Sequence, residues 1–88
     1  MEERHIKLIW DFRGQSAQNT AKHHKIHLEE YVLAQNLTLN ITGNADLNDM
    51  HSMAYLVVTE SEMIGVRDAL KPHRGEVYTP KEQAKIKK

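Results

Sequence analysis

Leu37-Thr38-Leu39-Asn40-Ile41-Thr42-Gly43-Asn44-Ala45-Asp46-Leu47-Asn48-Asp49-Met50-His51-Ser52-Met53-Ala54-Tyr55-Leu56-Val57-Val58-Thr59 is the stretch on which the fold turns. In its first six residues Leu37, Leu39 and Ile41 alternate with Thr38, Asn40 and Thr42, the period-two signal of a strand with one dry and one wet face. Residues Gly43 to Asp49 are rich in turn formers and read as a connecting loop. Met53 to Val58 is apolar on both faces, which suits a central strand. Two strands in succession are therefore expected here.

The flanks complete the pattern. Upstream, Ile6, Leu8, Trp10 and Phe12 alternate with Lys7, Ile9 and Asp11, giving a strand over Ile6 to Phe12 with its large groups on one sheet face. Gly14 breaks that run, and Ser16 is a reasonable helix N-cap. From Ser16 to Asn36 the apolar positions Ala17, Ala21, Leu28, Tyr31 and Val32, with His24 among them, recur at steps of three and four. They form one stripe facing the sheet, and Asn36 tolerates the left-handed conformation that closes a helix. Downstream, Thr59 and Glu62 have capping-box spacing for a helix over Glu60 to Lys71, which Pro72 stops. Glu76 to Thr79, followed by Pro80, reads as an edge strand. The order β-α-β-β-α-β predicts an α+β, ferredoxin-like domain: a four-stranded antiparallel sheet with two helices on one face.

The 88 residues suit one domain, expected over residues 1–80, with a core too small to be very stable. The chain has no cysteine, which excludes disulfides, a zinc ribbon, an iron–sulfur cluster and a thiol nucleophile. Its formal charge is zero but unevenly placed. Residues 81–88 carry four lysines against Glu82, a net of +3, which leaves −3 on residues 1–80. That tail is expected to be a solvated, disordered basic terminus. An acidic body without exposed aromatic pairs on its first and third strands argues against nucleic-acid binding. No apolar run approaches a membrane span, and Met1-Glu2-Glu3-Arg4-His5 lacks the features of a signal peptide. The expectation is a cytoplasmic protein without membrane contact.

With both helices on one side of the sheet, the opposite face should carry Lys7, Ile9, Asp11, Arg13, Thr38, Asn40 and Thr42 beside an apolar half of the third strand. A mixed face of this kind on so small a domain predicts a homodimer enclosing a cleft. Lys7, Arg13 and Asn40 are its candidate ligand-binding groups, suited to a small anionic ligand, and Asp11 is a candidate catalytic carboxylate.

The cluster His23-His24-Lys25-Ile26-His27 draws attention next. His23 and His27 lie one helical turn apart, a spacing that can share a metal, with Glu30 three residues on. A zincin helix needs a glutamate beside its first histidine, and His24 occupies that place; the stripe also turns His24 inward, away from His23. No metal site and no cofactor are expected. His27 borders the stripe and is the candidate general acid or base, given a carboxylate partner among Asp11, Asp49 and Asp68.

His27-Leu28-Glu29-Glu30-Tyr31 followed by Leu37 to Gly43 resembles the core of the YciI-like proteins, small dimeric α+β barrel domains. In those a histidine heads an H-L-x-x-Y/L helix that leads to a strand ending in glycine. The similarity extends more loosely over Ala54 to Ala69 and Val77 to Pro80. It implies a homodimer with a cleft and His27 as its acid/base. This chain departs from the pattern in having Lys25 in place of an arginine before the histidine, Gly43-Asn44 in place of glycine-proline, and no aspartate-proline after the second helix. A phosphate-handling site of the acylphosphatase type, on the same topology, would need a glycine-rich loop before Arg13, and the nearest glycine, Gly14, follows it.

Overall fold

The computed structural model describes residues 4–78; the expected basic tail and the last residue of the expected edge strand lie outside the described residues. The elements run β1 (His5–Arg13), α1 (Ala17–Gln35), β2 (Ile41–Asn48), β3 (His51–Thr59), α2 (Glu60–Leu70) and β4 (Arg74–Tyr78). The four strands form one antiparallel sheet in the order β2-β3-β1-β4. With two helices inserted after β1 and β3, this is the ferredoxin-like α+β fold.

The core follows the alternation of β1. Leu8 and Trp10 turn to the helices and pack with Leu28 and Val32 of α1, Ala54, Leu56 and Val58 of β3, and Val66 of α2. Ile6, Phe12, Tyr31, Leu37, Met63 and Leu70 border that cluster. Trp10 is 3% exposed and donates its indole N–H to the Leu70 carbonyl at 3.1 Å, so the end of α2 is fastened to the centre of the sheet. Asn36 (φ 54°) and Lys71 (φ 52°) close the two helices in the left-handed conformation, Lys71 immediately before Pro72.

Three local expectations are corrected. The second strand is Ile41–Asn48, and the expected loop over Gly43 to Asp49 is largely strand. Leu37 is spent on closing α1, its N–H reaching the Val32 carbonyl at 3.1 Å, and Thr38 is tied to Glu62 by two hydrogen bonds. The hairpin turns instead at Asp49-Met50, where the Asn48 side chain accepts the Met50 N–H at 2.8 Å. Polar residues are accommodated in β2 because it is an edge strand, and Asp46 accepts the Ser52 hydroxyl at 2.8 Å. The shift also changes faces. Ile41, Gly43 and Ala45 pair with Val57, Tyr55 and Met53 on the face away from the helices, while Thr42 pairs with Leu56 on the helix side. Thr38 and Asn40 precede the strand.

The helix starts differ as well. Ser16 and Thr59 occupy the N-cap positions, but neither side chain caps a backbone N–H of its helix; the Thr59 hydroxyl lies 3.4 Å from Ser61 Oγ instead. Glu62, expected to serve a capping box, does take hydrogen bonds from Thr59, and it also accepts the backbone N–H and the hydroxyl of Thr38, at 3.0 and 2.9 Å. It thereby pins the α1–β2 connection to α2. Burial acts to raise the Glu62 carboxyl, but the hydrogen bonds from Thr38 and Thr59 outweigh it, and the group lies below its ordinary value.

Candidate functional site on the open sheet face

The strand register assigns each side chain to a face. His5, Lys7, Ile9, Asp11 and Arg13 of β1 share the helix-free face with His51, Met53, Tyr55 and Val57 of β3, and with Arg74, Glu76 and Tyr78 of β4. Ile9 and Val57 are only 1% and 0% exposed although no helix covers them. Longer side chains share that face: the Lys7 ammonium stands 4.4 Å from the centroid of the Tyr55 ring, whose hydroxyl end lies over Gly43. A Cβ at position 43 would run into that ring, so glycine here makes room for the tyrosine.

At the other end of this face three strands contribute to one polar network. Asp11 from the middle strand β1 receives His51 Nε2 on Oδ1 at 3.0 Å. Arg74 grips the same carboxylate in a fork, Nε to Oδ2 at 2.9 Å and a terminal nitrogen to Oδ1 at 3.2 Å. The Asp11 and His51 side chains are 17% and 15% exposed, so the pair is shielded without being sealed. The Asp11 carboxyl is lowered to about 2, chiefly by the hydrogen bond from Arg74 against the opposing effect of burial, with His51 assisting. It is a carboxylate at any physiological pH. An ionised carboxylate only accepts, so the ring nitrogen facing it, Nε2, carries a proton, and the tautomer this selects has its lone pair on Nδ1.

The Asp11 backbone is engaged too. Its N–H donates to His73 Nδ1 at 2.8 Å, and the His73 N–H returns a bond to the Ile9 carbonyl at 2.9 Å. The Pro72-His73-Arg74 segment thus holds Asp11 by main chain and side chain together. On the helix side of the same strand, His24 packs its ring against Trp10 and Phe12, with centroids 4.8 and 5.4 Å away. Its Nε2 is buried without a hydrogen-bond partner. Burial, then the nearby His27 and His73, push the His24 imidazolium below its ordinary value.

The expected site residues are dispersed. Asp11, Lys7 and Arg13 do share the open face, with Arg13 exposed at the strand end opposite His51. Asn40 is exposed in the connection before β2. His27 lies on α1, 73% exposed, 3.7 Å from Glu30, and so on the other side of the sheet from Asp11. Among the described residues no three histidine or carboxylate side chains converge on one point as metal ligands would. His51 and Arg74, which complete the network around Asp11, are absent from the sequence reading. The signal that could have found them is alternation: once β1 is paired antiparallel with both neighbours, the odd positions of β1 and β3, 11 and 51 among them, share one face with the even positions of β4, 74 among them. No helix of the described residues is long and apolar enough to cross a membrane. No protein-family model, curated protein or solved structure matches the chain.

Proposed function

We propose that the chain is a cytoplasmic homodimer whose open sheet faces enclose a small-molecule cleft, with the His51–Asp11 pair as its general acid and base. This is the kind of enzyme suggested by the resemblance to the YciI-like proteins, with the histidine role transferred from helix to strand. The observation that carries the reading is the 3.0 Å bond between a shielded histidine and a carboxylate already held by Arg74, on a face without a second layer. In this arrangement Asp11 orients the ring and stabilises the imidazolium, while Nδ1 takes and returns a proton. Lys7 and Arg13, on the same strand face, supply positive charge for an anionic group of the substrate. Half-buried Ile41, Met53 and Tyr55 are the apolar surface that a second copy would cover.

A second reading rests on the same network. Asp11 is so fully engaged by Arg74, His51 and His73 that the cluster could serve to tie β3 and β4 to β1 in a non-catalytic ligand-binding or dimerisation module. Sedimentation velocity at micromolar concentration tests the assembly both readings share. The expected species has twice the 10.2 kDa chain mass. Met53→Glu, on the open face, is expected to return it to a monomer, and Ile26→Glu, on the exposed side of α1, to leave it paired. A parent protein that sediments only as a monomer overturns the enclosed cleft. Once a ligand is found by screening small anions, loss of turnover in His51→Ala but not in His27→Ala selects the His51 reading. The converse result selects His27.

A further inference from the structure

The opposite, helix-covered side of the sheet holds a concavity at the β4 edge. It has a volume of about 440 Å³ and opens between α2 and β4. That is within the range of small-molecule sites, about 300–1,000 Å³. Its cause lies in the sequence of β4. Strand alternation sends Arg74 and Glu76 to the open face, leaving Gly75 and Val77 toward the helices. Gly75 pairs with Leu8 and has no side chain, so Leu8 and Ile6 are left as an apolar floor beneath α2. Val77 remains 48% exposed, and Met63 and Arg67 form the wall on the helix side. A Cβ at position 75 would press on the Leu8 side chain at 3.3 Å, so glycine here lets the Leu8 side chain lie over the strand as part of the groove floor.

Charge selects the occupant. Among the charged side chains of the lining, Arg67 belongs to the helix side, since those of Arg74 and Glu76 belong to the other. Its partner is Asp68, the next residue on the helix, at 3.4 Å with both side chains more than half exposed. Such a pair is weak and readily exchanged. We propose that the groove between α2 and β4 binds a small carboxylic acid with an apolar body, its chain over Ile6, Leu8, Gly75 and Val77 and its carboxylate on the Arg67 guanidinium. The fork of donors on arginine suits a carboxylate, and the floor offers nothing to a polar chain. This site adjoins the Asp11–His51 cluster through His73 and Arg74, which border the groove, but it does not depend on the role assigned to that cluster.

The test is amide NMR of the ¹⁵N-labelled full chain titrated with octanoate, octanol and octyltrimethylammonium, each below its micellar concentration. Octanoate is expected to give saturable shifts at Met63, Arg67, Gly75 and Val77 and to bind most tightly, octyltrimethylammonium least. Arg67→Gln, at a half-exposed position whose fold is checked by the unchanged remainder of the amide spectrum, is expected to weaken octanoate about tenfold and leave octanol unchanged. Equal affinity for the cationic and anionic amphiphiles overturns the proposal, as does an Arg67→Gln variant that binds octanoate like the parent. Octanoate that leaves these four amides unmoved overturns it too. Shifts of the same amides on dilution without ligand would assign the groove to a second copy of the chain instead.

Discussion

Asp11 and His51, 40 residues apart in the chain, meet at 3.0 Å because β1 and β3 pair antiparallel with Asp11 opposite Met53 and Arg13 opposite His51. The two side chains are diagonal neighbours on one sheet face, where cross-strand partners interact directly. Arg74 reaches the same carboxylate from the other side of β1, and the sheet's central polar contact thereby spans three of its four strands.

Removing the carboxylate charge should therefore loosen both neighbours. Asp11→Asn is expected to cost about 1–3 kcal/mol, because a charged donor on Arg74 loses its ionised partner. The pH dependence follows from the sign of the shift. The folded value of about 2 lies below the ordinary 3.8, so this contribution is complete above the ordinary value and is lost as pH falls toward the folded one. Urea titrations between pH 5 and pH 2 should show the decline in the parent and a flatter profile in Asp11→Asn. Parallel profiles would remove Asp11 as its source.

His24 should make the domain acid-sensitive in a higher window. Its folded value is depressed, so its contribution is complete above its ordinary value of 6.5 and falls as pH drops through that value toward the folded one. His24→Phe keeps a ring against Trp10 and Phe12 and removes the buried, unpartnered Nε2. The expected result is a variant as stable as the parent at pH 7.5, or more stable by up to about 1 kcal/mol, with a smaller loss of melting temperature at pH 5.5. A variant markedly less stable than the parent at both pH values would show that the nitrogen has a partner in solution.

Trp10 is the anchor of the core. Trp10→Ala is expected to cost about 3–5 kcal/mol, enough to unfold a domain of this size, whereas Trp10→Phe keeps most of the packing and gives up the bond to the Leu70 carbonyl. Circular dichroism of the two variants checks this; a folded Trp10→Ala protein with near-parental melting would contradict the packing described.

Gly43 and Tyr55 form a steric pair on the open face. Gly43→Val should displace the Tyr55 ring and cost about 1–3 kcal/mol. In a Tyr55→Ala background the same change should cost much less, since the ring it strikes is gone. A double-mutant cycle by chemical denaturation measures the difference, and additive effects would mean the two positions do not touch.

What was legible in the sequence was what short-range rules decide. The alternation of Ile6, Leu8, Trp10 and Phe12 placed β1 and its buried face, the stripe through Ala17, Ala21, Leu28 and Val32 placed α1, and Pro72 placed the end of α2. The order of elements then pointed to the ferredoxin-like arrangement. The β2 strand was shifted because its residues contradict local preference. Gly43, Asn44 and Asp46 are turn formers held in a strand by tertiary partners, Gly43 by the Tyr55 ring laid over it and Asp46 by Ser52. The polar network was hidden for a different reason. Its members come from sequence separations of 40 and 63, with no local motif around His51 or Arg74. Only the exact register of three strands brings them together.

The measurement that bears most directly on the proposed acid/base pair is the tautomer of His51, read from long-range ¹H–¹⁵N correlations of the imidazole rings at pH 7.5. The expected result is the Nε2–H tautomer as the uncharged form of the ring in the parent, switching toward a mixture of tautomers in Asp11→Ala, where the acceptor that fixes it is gone. A His51 ring protonated at Nδ1 in the parent, or a tautomer unchanged by Asp11→Ala, would contradict it and leave the open face without its acid/base pair.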